Sequence, residues 1–115
     1  MTDERAGTDD AAITVSVGAG EDAIRLLIAG ELDMGSAATV VDAARALALD
    51  ARPVTVDLGG LTFVDSAGLR ALLAVYEHVM AATDRPARLA GLSDEHLTLI
   101  ELCGLDDVFE IDRPA

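Results

Sequence analysis

The chain of 115 residues contains no lysine, asparagine, glutamine or tryptophan, and it has a single cysteine. The lack of lysine excludes an ordinary P-loop, because the phosphate-binding Walker motif requires one. The lone thiol, Cys103, can form neither an internal disulfide nor a multi-cysteine metal site. We therefore expect a cytoplasmic protein that holds no metal through a cysteine cluster.

Long apolar runs and positive charge are also scarce. No apolar run approaches the roughly 20 residues that a membrane-spanning helix requires, and residues 1–10 lack the basic and apolar regions of a signal peptide. Eight basic residues against 21 acidic ones give a formal net charge of -13. Such a field repels phosphate backbones and anionic lipids. We expect no direct nucleic-acid partner and no membrane insertion.

What the chain does contain is enough apolar sequence for one core. Hydrophobic residues make up 51% of the chain, and its length suits a single ordinary domain. Residues 1–11 carry acidic side chains and almost nothing apolar, which predicts a disordered acidic tail. Residues 12–112 form the predicted domain.

Hydrophobic periodicity divides this domain into short strands and helices. Alternation from Ile13 to Val17 and an apolar run over 23–29 predict two strands of an antiparallel hairpin. Spacing of three and four predicts helices over about 36–50, 66–82 and 94–103, with Ser93 as a cap and Gly104 as a stop.

Three further apolar segments read as strands. They lie at Val54–Leu58, 87–92 and 108–111, and we expect Gly59-Gly60 to break the first, leaving Leu61–Val64 as a loop beneath the sheet. The order is then ββαβαβα with a possible final strand. Single helices between strands imply parallel pairing with right-handed crossovers. The predicted fold class is α/β: a small mixed sheet with an antiparallel N-terminal hairpin, βαβ units and helices packed on the sheet.

The most informative stretch is Asp57–Leu69, which places Ser66 where a strand-side loop meets an amphipathic helix. One interpretation is structural, since serine is a favoured helix N-cap. The other is that Ser66 is phosphorylated. This modification would leave the fold intact and weaken the binding of a partner protein. Gly68 leaves a similar choice, because glycine weakens a helix by about 1 kcal/mol relative to alanine: either another segment packs closely on it or a partner backbone approaches there.

Other candidates for chemistry are weaker. Nothing in the sequence pairs the carboxylates of Asp33, Asp57 and Asp65 as acid and base. His78 and His96 lack ligand spacing and are expected to be solvated, and Cys103 is expected to be a small core residue. The Gly-x-Ser-x-Gly elbow of hydrolases and the dinucleotide fingerprint are absent. We expect no enzyme, no cofactor and no metal.

The segment Leu61–Leu69, LTFVDSAGL, resembles the signature of STAS domains of the anti-sigma-factor antagonist (anti-anti-sigma) family. Two other stretches are similar to that family, Gly30–Asp33 and Leu102–Phe109, and the likeness covers residues 12–112. The family's order of elements agrees with the order predicted above. Many relatives carry a second serine where this chain has Ala67, so Ser66 is the one serine of the motif. Thr62 is expected to lie in the loop and is a poorer candidate for phosphorylation.

The resemblance implies a partner switch. In that family the unmodified antagonist binds an anti-sigma factor that is also a serine kinase, and a sigma factor is thereby freed to act in transcription. The kinase phosphorylates the motif serine, here Ser66, the complex dissociates, and a PP2C-type phosphatase restores the active form. The resemblance places Asp33 and Asp65 on the kinase-facing surface, with Ala67, Gly68 and Leu69 in the helix start that docks.

Two other function classes stay open. The chain is alternatively a STAS-type structural subunit of a larger assembly, such as a lipid-transport ATPase complex or a stressosome, with Ser66 acting only as a cap. It is alternatively a small ligand or nucleotide-binding module, although the sequence has no phosphate loop.

Overall fold

Strands and helices follow one another in the order that hydrophobic periodicity predicts, with a short fifth strand at the end. The computed structural model describes residues 13–20 and 22–112, so the expected tail over 1–11 lies outside the described residues. The elements are β1 (Ile13–Ala19), β2 (Ile24–Leu32), α1 (Ala37–Arg45), β3 (Val54–Val64), α2 (Ser66–Thr83), β4 (Arg88–Ala90), α3 (Asp94–Leu102) and β5 (Glu110–Ile111).

The strands form one mixed sheet in the order β1-β2-β3-β4-β5. β1 and β2 make the predicted antiparallel hairpin, with Ile13 opposite Gly30 and Ala19 opposite Ile24. The other neighbouring pairs are all parallel. The predicted α/β class, with an antiparallel hairpin at one edge of a small sheet, is confirmed.

Among residues 13–20 and 22–112, helices cover one face of this sheet and nothing covers the other. Along β2 the side chains of Ile24, Leu26 and Ile28 are buried, whereas Arg25 and Leu27 between them are exposed. Because successive strand residues point to opposite faces, the helices cover one face and leave the other to solvent. Each fully buried Leu or Ile stabilises the fold by about 1.5–3 kcal/mol.

The expected break at Gly59-Gly60 is wrong, because β3 runs without interruption for 11 residues. Leu27 lies opposite Asp57 and Ala29 opposite Gly60, so β3 accommodates one extra residue in a bulge there. A Cβ atom on Gly60 would lie 2.7 Å from the Cβ of Ala29. Glycine is therefore needed for the close approach of two strands, and Leu61–Val64 is strand rather than loop.

Helix α1 ends at Arg45, five residues before the predicted end. The segment after the helix is held by Arg52, whose guanidinium donates to the carbonyls of Ala48 and Gly20 at 2.9 Å each. The chain then turns through positive φ at Asp50 and Ala51. Leu49 is buried although it lies beyond the end of α1, and for this reason the apolar spacing extends past Arg45.

The expectations for the histidines and the cysteine are also wrong. His96 is only 7% exposed, because the first turn of α3 is packed into the protein, while Ser93 caps this turn by accepting from the His96 amide at 3.1 Å. Within the described residues, Nε2 of His78 and Nδ1 of His96 are buried without a hydrogen-bond partner. Cys103 is exposed at the C-terminus of α3. The chain leaves the helix at Gly104, the predicted stop, where φ is 72°.

Candidate functional site

The candidate site lies where two adjacent parallel strands end at the same edge of the sheet. Leu32 at the end of β2 pairs with Val64 at the end of β3. Asp33 follows the first strand and Asp65 the second, and the Asp65 amide donates to the Leu32 carbonyl at 3.3 Å. The fold thus joins two segments that the sequence places about thirty residues apart.

Asp65, and not Ser66, is the N-cap of α2. Its Oδ1 accepts a hydrogen bond of 2.8 Å from the Gly68 amide, and its carbonyl accepts from the Leu69 amide at 2.9 Å. Ser66 is the first residue inside the helix, and it is exposed. The interpretation of Ser66 as a cap is therefore wrong, and its hydroxyl is accessible from solvent.

Hydrogen bonds hold the loop after β2 in one conformation. Oδ1 of Asp33 accepts from the amides of Gly35 at 2.9 Å and Ser36 at 3.2 Å. The Ser36 hydroxyl accepts from the Asp33 amide at 3.1 Å and donates to the Glu31 carbonyl at 2.7 Å. The Asp33 carboxylate thus orders the loop, and it is half-buried rather than fully projected toward a partner.

The helix start itself is only partly accessible. Gly68 is buried, Leu69 is 2% exposed, and Ala67 is half-buried. A Cβ atom on Gly68 would collide with the Leu32 carbonyl oxygen and lie 2.8 Å from Cγ2 of Val64. Close packing therefore explains this glycine. Gly68 and Leu69 pack beneath the accessible residues of this turn. Partner binding by Asp33, Asp65, Ala67, Gly68 and Leu69 stays a prediction.

A groove of about 470 Å³ adjoins this turn, between α1 and the start of α2. Its lining includes Met34, Ala37, Asp42, Arg45, Ala67 and Arg70. Met34 is 82% exposed, at the tip of the ordered loop. The sequence analysis missed this groove because its walls come from two helices. An apolar residue within the polar loop sequence Asp33–Ser36 was the available signal.

Other candidate residues lie away from the site. Asp57 sits on the open face of the sheet, where Nη2 of Arg25 contacts its Oδ2 at 2.8 Å. The hydrogen bond from the Gly59 amide, followed by that from Arg25, lowers the pKa of Asp57 below its ordinary value. Asp57 therefore forms no acid–base pair with Asp33 or Asp65. Within residues 13–20 and 22–112, no cluster of three His, Cys, Asp or Glu side chains could hold a metal.

In the part of the chain that the structure describes, no helix combines the length and the apolar character needed to cross a membrane.

Among solved structures, an anti-sigma factor antagonist from Mycobacterium paratuberculosis is similar to this chain with a TM-score of 0.75 and 28% sequence identity, over 90% of this chain and 87% of that one. An anti-sigma-factor antagonist (STAS) domain protein from Planctomyces limnophilus has a TM-score of 0.69 and 16% identity, over 88% and 91% of the two chains. The anti-sigma factor antagonist SpoIIAA in its unphosphorylated form has a TM-score of 0.58 and 16% identity, over 88% and 89%. At 16% identity the last two show the fold alone.

The sequence comparison gives the family directly. No curated protein matches the sequence. The family described as "Mlab, STAS domain" matches residues 15–111, a range that contains all three helices and both segments of the candidate site. This chain belongs to the STAS domain family.

Proposed function

We propose that the chain is an anti-sigma factor antagonist that works by partner switching in the cytoplasm. Its unphosphorylated form binds an anti-sigma factor that is also a serine kinase, and this binding frees a sigma factor. The kinase transfers the γ-phosphoryl group of ATP to Oγ of Ser66, the hydroxyl proton is released, and ADP leaves. A PP2C-type phosphatase hydrolyses the phosphate. The chain is a ligand and a substrate, not an enzyme.

The observation that carries this proposal is the position of Ser66. It is exposed at the first residue of α2, while Asp65 provides the cap hydrogen bond to Gly68. Phosphorylation of Ser66 therefore leaves this cap hydrogen bond intact, and we expect the phosphorylated protein to remain folded. The antagonist from Mycobacterium paratuberculosis, at 28% identity over most of both chains, supports the general role.

The charge of a phosphate accounts for release of the partner. Phosphoserine adds about 1.5 to 2 negative charges at pH 7. A charge enclosed in an interface without a partner costs several kcal/mol. A loss of about 4 kcal/mol in binding corresponds to about a thousandfold in affinity, which is sufficient for a switch.

Phosphorylation is tested with purified protein, ATP and the candidate anti-sigma kinases of the same cell. Intact-mass measurement should show one added phosphate, and peptide mapping should place it on Ser66. The Ser66→Ala variant is the matched control and should gain no phosphate. Phosphate on another residue, or on none with every kinase, would overturn the phosphorylation step.

Binding is tested by calorimetry with the kinase identified in this way. Ser66→Ala should bind with an affinity close to that of the unmodified protein. Ser66→Asp should remain folded by circular dichroism and bind at least about tenfold more weakly, which corresponds to about 1.4 kcal/mol. Equal affinity for the two variants would contradict the charge-based release.

A second candidate is a structural subunit of a larger STAS-containing assembly. It is favoured by the matching family description, which names Mlab and not an antagonist. In that role Ser66 needs no modification and the partner remains bound in the presence of ATP. Co-purification of a stable complex that ATP does not dissociate, with no phosphate on Ser66, would select this candidate over the first.

A further inference from the structure

Basic side chains are rare in this acidic protein, and two of them line one groove. Six arginines lie within the described residues. Three of these pair with carboxylates: Arg25 with Asp57, Arg52 with Asp50 and Arg88 with Asp112. Of the other three, Arg45 and Arg70 border the groove between α1 and α2.

Neither groove arginine has a carboxylate within ion-pair distance in the described part of the chain. Asp42 also lines the groove, but it forms no ion pair with either of them. Asp65, whose Oδ1 accepts from the Gly68 amide, also forms no ion pair with either of them. The positive charge at this end of α2 is therefore free to bind another anion.

Arg70 lies one helical turn after Ser66. Residues four apart in a helix are neighbours on one face, with Cβ atoms about 5–6 Å apart. Both side chains are exposed. A phosphate on Oγ of Ser66 would lie within reach of the Arg70 guanidinium.

We propose that Arg70 binds the phosphate of phosphorylated Ser66 within the same helix and is thereby withdrawn from the groove. The inference rests on the proposed phosphorylation of Ser66 and deepens it. A guanidinium can donate two parallel hydrogen bonds to phosphate oxygens, and a dianion holds it more strongly than a single carboxylate does.

The consequence concerns the surface that a partner meets. Before phosphorylation, the groove offers two free guanidinium groups, Arg45 and Arg70, beside the exposed thioether of Met34. This combination suits a partner segment that carries an acidic side chain next to an apolar one. After phosphorylation Arg70 is paired within α2, so the partner loses one attractive charge while it meets a repulsive one.

The ion pair can be tested without a kinase or a partner. Phosphoserine is installed at position 66 during translation through an expanded genetic code, and the phosphate is titrated by ³¹P NMR. An adjacent guanidinium stabilises the dianion, so the second pKa of the phosphate should rise by about half a unit in Arg70→Gln, the size expected of an exposed ion pair.

Arg45→Gln is the matched control, because it removes the same charge from the opposite wall of the groove. It should raise the phosphate pKa less than Arg70→Gln does, because Arg45 is on α1 and cannot form the contact between residues four apart in α2. The Arg70 Nε–Hε resonance should also shift on phosphorylation. An unchanged pKa in Arg70→Gln, or an equal rise in both variants, would overturn the inference.

This experiment separates the inference from the proposed function. If no kinase phosphorylates Ser66 but Arg70→Gln raises the phosphate pKa, the proposed function fails while the ion pair is established. If a kinase does phosphorylate Ser66 but the pKa is the same in both variants, partner switching stands and the role of Arg70 is wrong.

Discussion

Two adjacent residues at the start of α2, Asp65 and Ser66, have different roles. Asp65 has extended backbone angles, φ -117° and ψ -171°, and caps the helix. Ser66 is inside the helix with its hydroxyl in solvent. Aspartate and serine are both favoured caps, so residue type cannot decide between neighbours. The sequence could therefore locate this turn but could not place the helix boundary within it.

Removing the cap should weaken the fold by a predictable amount. Asp65→Ala should lower the free energy of unfolding by about 1 kcal/mol, because the Gly68 amide loses its acceptor. Asp65→Ser retains a cap oxygen and should lose only a few tenths of a kcal/mol. Urea unfolding followed by circular dichroism measures both. Equal losses in the two variants would show that the cap hydrogen bond contributes little.

The same pair of variants also separates stability from binding. Both remove the negative charge beside Ser66, and Asp65→Ser does so with little loss of stability. A loss of partner affinity in Asp65→Ser would therefore be an effect of charge and not of folding.

Gly68 gives a second test at the scale of one residue. Alanine is normally the better helix former by about 1 kcal/mol. Here its Cβ would press on the Leu32 carbonyl and on Val64, so Gly68→Ala should destabilise the protein by about 1–3 kcal/mol. Gly18→Ala is the control, because a Cβ at Gly18 meets nothing within 4 Å. Thermal unfolding measures both, and a stability of Gly68→Ala at or above that of the unsubstituted protein would contradict the close packing.

At the scale of elements, hydrophobic periodicity predicted the strands and helices whose positions depend only on their own residues. β1, β2 and the cores of all three helices lie where the apolar spacing places them. The errors arise where a distant residue intervenes. Ala29 of β2 explains the glycine that was interpreted as a break in β3. After α1, the Arg52 guanidinium donates to the carbonyls of Ala48 and Gly20 in a segment that was predicted to be helical. Such contacts cannot be derived from local sequence.

On the open face of the sheet, Asp57 of β3 forms an ion pair with Arg25 of β2, and this contact depends on the ionisation of Asp57. The pKa of Asp57 is lowered by the hydrogen bonds from the Gly59 amide and the Arg25 guanidinium. A lowered pKa in the folded state means that the carboxylate stabilises the fold above the unfolded pKa. This stabilisation is lost as the pH falls through the lowered pKa of the folded protein.

Asp57→Asn should therefore reduce the free energy of unfolding by about 0.5–1 kcal/mol at pH 7. Its stability should also fall less steeply than that of the unsubstituted protein as the pH drops below about 4. Asp22→Asn, at an exposed site in the β1–β2 turn, controls for the loss of one negative charge. Urea unfolding at pH 7, 4 and 3 tests this, and parallel curves for all three proteins would refute the contribution of Asp57.

At the scale of the whole molecule, the parallel arrangement of β2 and β3 creates the site. The motif around Ser66 was evident from the sequence, but its contact with the Asp33 loop follows from strand order. The groove beside it was not predictable, because it requires the faces of α1 and α2 to meet. Two arginines without an ion pair in one groove are unusual here because the chain carries a net charge of -13.

That net charge should itself destabilise the folded protein at low salt. The molecule measures 37 × 32 × 26 Å, and the Debye length is about 30 Å at 0.01 M salt but about 10 Å at 0.1 M. At low salt, repulsion among the 21 acidic side chains therefore acts across the whole molecule. The three described ion pairs include exposed partners, so their loss through screening matters less.

We therefore expect the thermal unfolding midpoint to rise by about 4–8 °C, equivalent to about 1 kcal/mol, between 0.01 M and 0.2 M NaCl at pH 7. Differential scanning calorimetry measures the shift. Sodium perchlorate at the same ionic strength is the control, because screening depends on ionic strength, whereas preferential exclusion from the protein surface depends on the identity of the anion. A falling midpoint in NaCl would show that attractive ion pairs outweigh the net repulsion, and a rise in NaCl but not in perchlorate would assign the effect to ion exclusion instead.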